Sequence, residues 1–440
     1  MPDARYQPAP PVQIQHPEWT RSATLYQINT RQFTPEGTLA AARARLPRLR
    51  DFGVDIVWLM PIHPIGEKNR KGTLGSPYAV RDYTAVNPEF GTMDDLKAFV
   101  TEAHRLGMRV ILDWVANHTA WDHPWAEDHP DWYARDWAAR FRPTPWWDWS
   151  DVIDLDYSQP ALREAMTEAL LFWVREADVD GYRCDVAGML PTDFWDEARR
   201  QLDAVKPVFM LAEWEARDLH RAAFDATYAW SWYDAVHAIC HGRADVNALY
   251  HYYSWNEKAY PHDILRMLFT SNHDKNAWDG TMHEQFGDGL EAAIVLSVIS
   301  EGIPLVYNGQ EAGLDRRLAF FERDPITWPE DGRLSRIGEL YRDLFALKRE
   351  TSALHNAGWG ARMVRVVSSN LDHVLSFVRE DAETKVLALF NFSAEAREVT
   401  LTDGPYEGTY FQPLGGDSVR LRKDARVTLE PWGWRVLVTD

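Results

Sequence analysis

The sequence has only two cysteines, no long apolar run and fewer basic than acidic residues. Cys184 and Cys240 alone cannot build a disulfide framework. No apolar run reaches the roughly 18 residues that a membrane-spanning helix needs, and residues 1–5 lack an apolar signal region. With 47 Lys and Arg against 66 Asp and Glu, the net charge of −19 has the wrong sign for docking on phosphate backbones. We therefore expect no membrane and no nucleic-acid partner.

Aromatic side chains, in contrast, are abundant. They make up 13% of the chain and include 21 Trp, whose faces stack well on sugar rings, although a large core also uses many of them. The 440 residues, 45% of them hydrophobic, suit a large barrel with one accessory domain. We expect a monomer or a small homo-oligomer. The sequence as written predicts a cytoplasmic protein, or a secreted or periplasmic one if a signal peptide has been removed.

Apolar runs alternate with helical patterns along most of the chain. Eight runs are predicted as strands, at residues 23–33, 54–62, 109–117, 181–187, 208–215, 226–230, 265–274 and 303–311. Helices are predicted at 39–52, 93–106, 161–178, 193–205, 287–300 and 336–349. Because these runs are mostly apolar throughout, the strands should be covered on both faces, as in a parallel sheet. The pattern predicts an α/β fold, a (β/α)8 TIM barrel.

The barrel pattern is interrupted once and ends before the C-terminus. Residues 119–157 separate the third strand from its helix and carry seven Trp, so we predict a short Trp-rich excursion that walls one side of the barrel mouth. After residue 354, alternating segments between polar turns predict an antiparallel β-sandwich. Residues up to about 17 are rich in Pro and Gln without periodicity and are predicted to be unstructured. The predicted domains are a lead-in at 1–18, the barrel at 19–118 and 158–354, the excursion at 119–157 and the sandwich at 355–440.

Polar and charged side chains stand at the ends of the predicted strands. They are, in chain order, Asp113, Asn117, His118, Arg183, Asp185, Glu213, His273 and Asp274. The C-terminal strand ends of such a barrel form the active-site mouth, so these side chains should converge. Arg183 and Asp185 lie two residues apart on one strand and should project together, with the guanidinium keeping the carboxylate ionised.

Two kinds of chemistry fit a mouth rich in carboxylates and histidines. A hydrolytic metal site would collect the same residue types, but it usually uses closely spaced pairs such as H-x-H, and no such pair ends a predicted strand. Glycoside hydrolysis needs one carboxylate as nucleophile and one carboxylic acid as proton donor, with further polar groups for the sugar hydroxyls. The spacing favours glycoside hydrolysis and leaves the metal site as the alternative.

In seven stretches the sequence resembles the α-amylase family of retaining glycosidases and transglycosidases. The stretches follow one another in the order expected along the barrel, at 54–61, 113–118, 154–156, 181–187, 211–213, 271–274 and 302–311. The resemblance implies that Asp185 is the nucleophile and Glu213 the general acid/base. It also implies that Asp274 is the third carboxylate, which binds sugar hydroxyls and stabilises the transition state.

The resemblance assigns further residues to the sugar in the cleavage subsite. It implies that Arg183 orients Asp185, that His118 and His273 contact this sugar, and that Tyr78 stacks on it. A neighbouring arginine should lower the pKa of Asp185, whereas the apolar run before Glu213 should raise the pKa of that residue. For retention, the two carboxyl groups should lie about 5 Å apart.

The chain departs from the family pattern just after Asp185. Many members have Lys-His three and four residues on, where the pair helps to bind sugars and a structural calcium, but this chain has Gly188 and Met189. Asn117 matches a family calcium ligand, although an uncharged Asn can equally tie its loop by hydrogen bonds. We predict that no cofactor is required and keep a structural calcium at Asn117 as an alternative. Asp82 and Asp113 are interpreted as structural, and the loop 320–324 as either a cleft border or a solvated surface.

Several functions remain open. The leading hypothesis is hydrolysis of α-1,4-glucosidic bonds in starch-type glucans or maltooligosaccharides, by double displacement through a covalent glycosyl-enzyme. Alternatives on the same machinery are an α-glucan transglycosylase and an exo-acting α-glucosidase or cyclomaltodextrinase-like enzyme, because a lid over one end of the cleft cannot be read from sequence. The intact carboxylates argue against a catalytically dead binding or structural subunit.

Overall fold

A computed structural model describes residues 12–329 and 332–439 of the chain. Its first ten strands are Leu25–Ile28 (β1), Ile56–Leu59 (β2), Arg109–Trp114 (β3), His118–Ala120 (β4), Val152–Asp154 (β5), Gly181–Cys184 (β6), Phe209–Ala212 (β7), Ala226–Tyr228 (β8), Leu265–Phe269 (β9) and Ile303–Tyr307 (β10). All except β4 and β5 pair in parallel and close into a barrel in chain order. Their side chains are almost all buried, which confirms the prediction of eight strands covered on both faces.

Helices surround the barrel. They are Thr30–Phe33 (α1), Leu39–Arg43 (α2), Leu46–Phe52 (α3), Met93–Arg105 (α4), Pro124–Asp128 (α5), Pro160–Ala177 (α6), Thr192–Asp203 (α7), Trp230–Cys240 (α8), Asn247–Ala259 (α9), Met282–Phe286 (α10), Leu290–Ile299 (α11) and Arg336–Glu350 (α12). Four predicted helices are confirmed as α4, α6, α7 and α12. Thr92 begins α4 with a capping box, accepting a hydrogen bond from the Asp95 N–H.

Two predicted helices are wrong in detail. The single helix predicted at 39–52 is divided into α2 and α3, because Pro47 in the first turn of α3 has no N–H to continue the hydrogen-bond ladder of α2. The helix predicted from residue 287 begins only at Leu290, after the separate 3-10 turn Gly287–Gly289. Both differences lie at the start of a helix. There a proline or a glycine changes the backbone, although the spacing of apolar residues predicts a continuous helix.

The excursion after β3 is built on the antiparallel pair β4 and β5, in which His118 lies opposite Asp154. Its tryptophans divide into two groups. Trp132 is buried and packs edge-on against Trp125 with ring centroids 5.1 Å apart, whereas Trp137 and Trp146 are exposed. The excursion therefore uses only some of its tryptophans for its own packing.

Beyond α12 the chain forms only β-structure and short 3-10 turns within the described residues. The strands are Met363–Arg365 (β11), Val367–Ser368 (β12), Val374–Glu380 (β13), Lys385–Asn391 (β14), Arg397–Asp403 (β15), Gly408–Tyr410 (β16), Val419–Leu421 (β17), Arg426–Leu429 (β18) and Trp434–Val438 (β19). A four-stranded and a three-stranded antiparallel sheet contribute to one buried core. This confirms the predicted antiparallel region, while the domain boundaries stay a prediction.

The predicted lead-in has an ordered end. Residues 1–11 lie outside the described residues, but His16 is buried, and its Nδ1 lies 2.7 Å from Asp225 Oδ1, just before β8. The prediction of an unstructured stretch up to residue 17 is therefore wrong for this residue. Among the helices of the part of the chain that the structure describes, none is long and apolar enough to cross a bilayer.

Candidate active site

One buried arginine joins carboxylates from three neighbouring barrel strands. Arg183 Nη1 lies 2.8 Å from Asp113 Oδ1 and 2.9 Å from Asp185 Oδ1, and Nη2 lies 2.6 Å from Glu213 Oε1. The contact with Glu213 is a charge contact, because its geometry is not that of a hydrogen bond. Asp113 and Arg183 are register partners in β3 and β6, so their side chains leave the barrel wall together. The guanidinium thus holds Asp185 and Glu213 side by side.

The cluster contains more negative charge than Arg183 neutralises. Burial raises the pKa of Asp185 to about 6, while Arg183 and a hydrogen bond with Glu213 act in the opposite direction. Burial also raises the pKa of Glu213 well above its usual range, and the nearby charge of Asp185 adds to the rise. The expectation of a lowered pKa for Asp185 is therefore wrong, because burial outweighs the arginine. Near neutral pH, Asp185 still ionises while Glu213 keeps its proton.

The backbone after Asp185 fixes the second oxygen of Glu213. Val186 has a φ of 38°, a left-handed conformation that β-branched residues rarely adopt. Its N–H donates to Glu213 Oε2 over 2.8 Å. Strained backbone of this kind persists where the surroundings over-determine it, and it is frequent at active sites. Arg183 and Val186 together set the orientation of the Glu213 carboxyl group.

Tyr78 and His273 form one side of the site. The Tyr78 hydroxyl donates to Asp113 Oδ2 over 2.9 Å and lies 2.8 Å from His273 Nε2, and the two rings stack with centroids 5.4 Å apart. Burial lowers the pKa of His273 to about 4, so the ring is neutral near pH 7. Asp274 Oδ2 lies 3.3 Å from His273 Nε2, and its side chain is 38% exposed, far more than those of Asp185 and Glu213.

His118 and Asn117 lie on the side of the excursion. Burial lowers the pKa of His118 to about 4, so this ring is also neutral near pH 7. The Asn117 amide nitrogen lies 3.1 Å from His118 Nδ1 and 3.3 Å from both Thr144 Oγ1 and Asp154 Oδ1. The Thr144 hydroxyl donates to the same Asp154 oxygen. Asn117 therefore ties β3 to the excursion by hydrogen bonds.

These residues do not fit a calcium ion. Calcium takes about six to eight oxygen ligands, but Asn117 presents its amide nitrogen, not its oxygen, to the Asp154 carboxylate. Burial raises the pKa of Asp154, while its hydrogen bond from Thr144 and the nearby Arg142 act in the opposite direction. No group of three or more His, Cys, Asp or Glu arranged for a metal occurs within residues 12–329 and 332–439.

The site opens into a cavity of about 660 Å³ with a largely aromatic lining. The aromatic members include Tyr78, Trp147, Trp149, Trp214, Trp230, Trp278, Phe320 and Phe321. Trp147 and Trp149 of the excursion stack on each other with centroids 5.0 Å apart, and Phe320 stacks on Tyr78 at 6.2 Å. The loop 320–324 thus borders the cleft, which was one of its two interpretations. Such flat faces suit sugar rings.

The departure at Gly188 has a packing reason. A Cβ atom on Gly188 would lie 2.3 Å from the indole of Trp214, so any larger residue would displace that ring. Trp214 follows Glu213 directly, is 36% exposed and lines the cavity. Glycine therefore leaves room for an indole face beside the proposed general acid.

Two further residues, Asp113 and Gln27, support the site. Asp113 has the structural role predicted for it and accepts hydrogen bonds from Trp58 Nε1 at 3.0 Å and from Tyr78. The shared register with Arg183 is the signal that could have placed it there. Gln27, whose amide nitrogen lies 2.7 Å from His273 Nδ1, was missed, and its strand offers no sequence signal for that role. Asp82 accepts from Thr84 in a local turn, as predicted.

The fold and the site together define a class of protein. A (β/α)8 barrel with paired carboxylates at its mouth has the architecture of a glycoside hydrolase. The family model described as "Alpha amylase, catalytic domain" matches residues 19–327, and that described as "Maltogenic Amylase, C-terminal domain" matches residues 364–436. The chain belongs to the α-amylase family, as the sequence resemblance predicted.

Individual relatives agree with this assignment. A solved noncanonic maltogenic α-amylase, AmyB from Thermotoga neapolitana, is 32% identical with a TM-score of 0.85, over 95% of this chain and 98% of that chain. An α-amylase from Lactobacillus plantarum is 30% identical with a TM-score of 0.84, over 96% of this chain and 100% of that chain. The α-amylase MalA of Haloarcula japonica is 27% identical over 94% of this chain, which spans only 62% of that relative's length.

Proposed function

We propose that the protein is a retaining glycoside hydrolase that cleaves α-1,4-glucosidic bonds in starch-type glucans or maltooligosaccharides. The observation that carries the proposal is the sharing of Arg183 between Asp185 and Glu213. One buried guanidinium holds an ionised and a protonated carboxyl group at the same cavity, which is the pair that double displacement needs. The family membership supports the substrate class.

In the first step, Asp185 attacks the anomeric carbon while Glu213 gives its proton to the departing glycosidic oxygen. The carbon–oxygen bond breaks, and the sugar is left as an ester on Asp185. In the second step, Glu213 takes a proton from water, the water oxygen attacks the same carbon, and Asp185 leaves as a carboxylate. Two inversions give a product that retains the α-configuration.

The remaining groups bind the sugar that becomes attached to Asp185. Tyr78 offers a ring face, and the neutral His118 and His273 offer hydrogen bonds without adding charge. Asp274 is exposed enough to accept from sugar hydroxyls. A charged imidazole beside Arg183 would stabilise Asp185 further as a carboxylate and weaken it as a nucleophile, so the lowered histidine pKa values support this proposal.

A product time course tests the proposal. Soluble starch, maltotriose, pullulan and cyclodextrin are incubated with the protein, and chromatography identifies the bonds that are cut. Proton NMR on fresh maltotriose digests reports the anomer released first, which should be α. Initial release of the β-anomer would contradict the double displacement.

Transfer to a second sugar is the other candidate, and Trp214 is the observation that favours it. Its exposed indole follows Glu213 directly in the chain and lines the same cavity, so it offers a face to an incoming acceptor. We expect products longer than maltotriose at high substrate concentration, and a lower ratio of transfer to hydrolysis in Trp214→Ala. If no longer products form, hydrolysis alone remains. The oligomeric state stays a prediction.

A further inference from the structure

The loop after β2 reaches the excursion on one side of the cavity. We call residues 66–75 of this loop the strap. Lys71 of the strap lines the cavity and donates a hydrogen bond to the backbone carbonyl of Asp148. Its Nζ also lies 3.5 Å from Asp148 Oδ1 and 3.7 Å from Asp151 Oδ1. Both aspartates belong to the excursion and line the same cavity.

The strap also reaches the opposite wall, the loop after β10. The Thr73 N–H donates to Glu322 Oε1 over 2.9 Å, and the Thr73 hydroxyl donates to the second oxygen of that carboxylate. The Leu74 N–H donates to the Phe321 carbonyl over 3.2 Å. Gly72 has a φ of 64°, and a Cβ there would lie 2.5 Å from Phe321 Cβ, so this close approach requires glycine. The strap therefore joins both walls.

Further contacts fasten the two ends of the strap. Arg70 Nε donates to the Gly66 carbonyl over 2.8 Å, which closes the loop on itself. Arg31, buried at the foot of the barrel mouth, donates from Nη1 to the Gly75 carbonyl over 3.0 Å. Gly66 packs against Ala120 of β4, where a Cβ would come within 2.3 Å. The strap is thus held at both ends as well as at Lys71 and Thr73.

The chemistry indicates which end of the cavity lies near the strap. Glu213 protonates the leaving oxygen, and Trp214, the next residue in the chain, lines the same cavity, so the released part of the substrate should lie over this indole. The sugar attacked by Asp185 should lie against Tyr78, on which Phe320 stacks. The strap bonds to Phe321, the neighbour of Phe320, and so lies beyond the attacked sugar. In an α-1,4-glucan this direction leads to the non-reducing end.

We propose that the strap makes the cavity blind at the non-reducing end, so that the protein removes short products from chain ends and does not cut inside chains. The proposal rests on the proposed function and deepens it, because it specifies where along an α-1,4-glucan the same carboxylates act. Lys71 and Thr73 are the positioning residues that fasten the strap across the cavity.

The test compares two chromogenic maltooligosaccharides of equal length. One has a free non-reducing end, and the other carries a 4,6-ethylidene group there. We expect the wild-type protein to cleave the blocked substrate at least about tenfold more slowly, because a blind end rejects added bulk. The double variant Lys71→Ala, Thr73→Ala should raise the blocked-to-free rate ratio by about the same factor. Lys68→Ala is the matched control, since this exposed residue of the strap lies over the ring of Trp121, 5.5 Å from its centroid, and away from the cavity lining.

Each outcome has one meaning. Equal cleavage of both substrates by the wild-type protein, or turnover of cyclodextrin, which has no end, would overturn the blind cavity. A wild-type preference that the double variant retains would overturn the role of the strap. If neither substrate were cleaved, the proposed function itself, hydrolysis of α-1,4-glucosidic bonds, would be contradicted. If the double variant fails to fold, the wild-type comparison still decides whether the cavity is blind.

Discussion

Two buried arginines, Arg183 and Arg199, lie at opposite ends of the barrel, and the buried carboxylates that they contact have pKa values shifted in opposite directions. Arg183 at the mouth contacts three buried carboxylates, and the pKa values of Asp185 and Glu213 are raised. Arg199 in α7 lies 2.7 Å from Asp225 Oδ2, and the same aspartate is paired with His16. There the pKa of Asp225 is lowered and that of His16 is raised.

The difference lies in the balance of charge. Asp225 is paired with the Arg199 guanidinium, is hydrogen-bonded to His16 and also accepts from the Met210 N–H, so these interactions outweigh its burial. At the mouth one guanidinium contacts three carboxylates, so burial dominates and raises the pKa of all three, and Glu213 keeps its proton near neutral pH. A buried carboxylate whose charge is matched by its partners has a structural role. A buried cluster with more carboxylates than cations has raised pKa values and can exchange protons during a reaction.

The largest expected effect breaks the chemistry at the mouth without breaking the fold. Asp185→Asn and Glu213→Gln should each lower kcat by about 10⁴-fold, because neither the nucleophile nor the proton donor has a local substitute. Steady-state kinetics on maltotriose measures the loss, and circular dichroism checks the fold. Near-normal turnover in either variant would show that the roles are misassigned.

Removing the carboxylate partner of Arg199 should lower stability and leave catalysis unchanged. Asp225→Ala leaves Arg199 buried without its main partner, which should lower the free energy of unfolding by about 3–5 kcal/mol. The kcat of the folded fraction should stay at the wild-type value. Denaturant melts and active-site titration measure both quantities. Glu197→Ala, which removes an exposed ion pair of the same helix, is the control and should leave stability unchanged. A loss of kcat in Asp225→Ala would contradict a purely structural role for the Arg199–Asp225 pair.

The raised pKa values at the mouth should also appear in the pH dependence of kcat/KM. Activity should fall on the acid side near pH 6 as Asp185 gains a proton, and on the alkaline side as Glu213 loses its proton. A pH–rate profile at low substrate concentration measures both limbs. An acid limb near pH ~4, where an unperturbed carboxyl group titrates, would mean that Asp185 is not desolvated.

A smaller effect concerns stability at the mouth. The folded pKa of Asp185 exceeds its unfolded value of about 3.9, so its contribution to stability is present below that value and is lost as pH rises through about 6. Asp185→Asn removes this loss and should add roughly 1–3 kcal/mol near pH 7.5 but little near pH 4. Thermal melts of both proteins at the two pH values test the difference. If Asp185→Asn were less stable than the wild-type protein near pH 7.5, the predicted stabilisation would be contradicted.

The smallest expected effect is that of removing metals. Because hydrogen bonds tie Asn117 to Asp154 and Thr144, EDTA should leave the Tm unchanged. Differential scanning calorimetry with and without EDTA measures this. A drop in Tm that Ca²⁺ restores would show that a cation holds the excursion.

Sequence patterns predicted the features that strand geometry determines. The apolar runs identified the barrel because parallel strands are buried on both faces, and the strand ends brought Asp185, Glu213 and Asp274 to one cavity. The strap was not predictable, because Lys71 and Thr73 contact residues 77 and 249 positions away. The sign of the pKa shift of Asp185 was also wrong, because the extent of burial depends on packing that no local pattern records.

The most direct test of the central claim is to trap the covalent intermediate. Glu213→Gln is mixed with α-maltosyl fluoride, whose fluoride leaves without a proton donor, while attack by water is slow because no base remains. Peptide mapping by mass spectrometry should then find one maltosyl group on Asp185. A label on Asp113 or Asp274, or direct release of β-maltose without any label, would contradict the account.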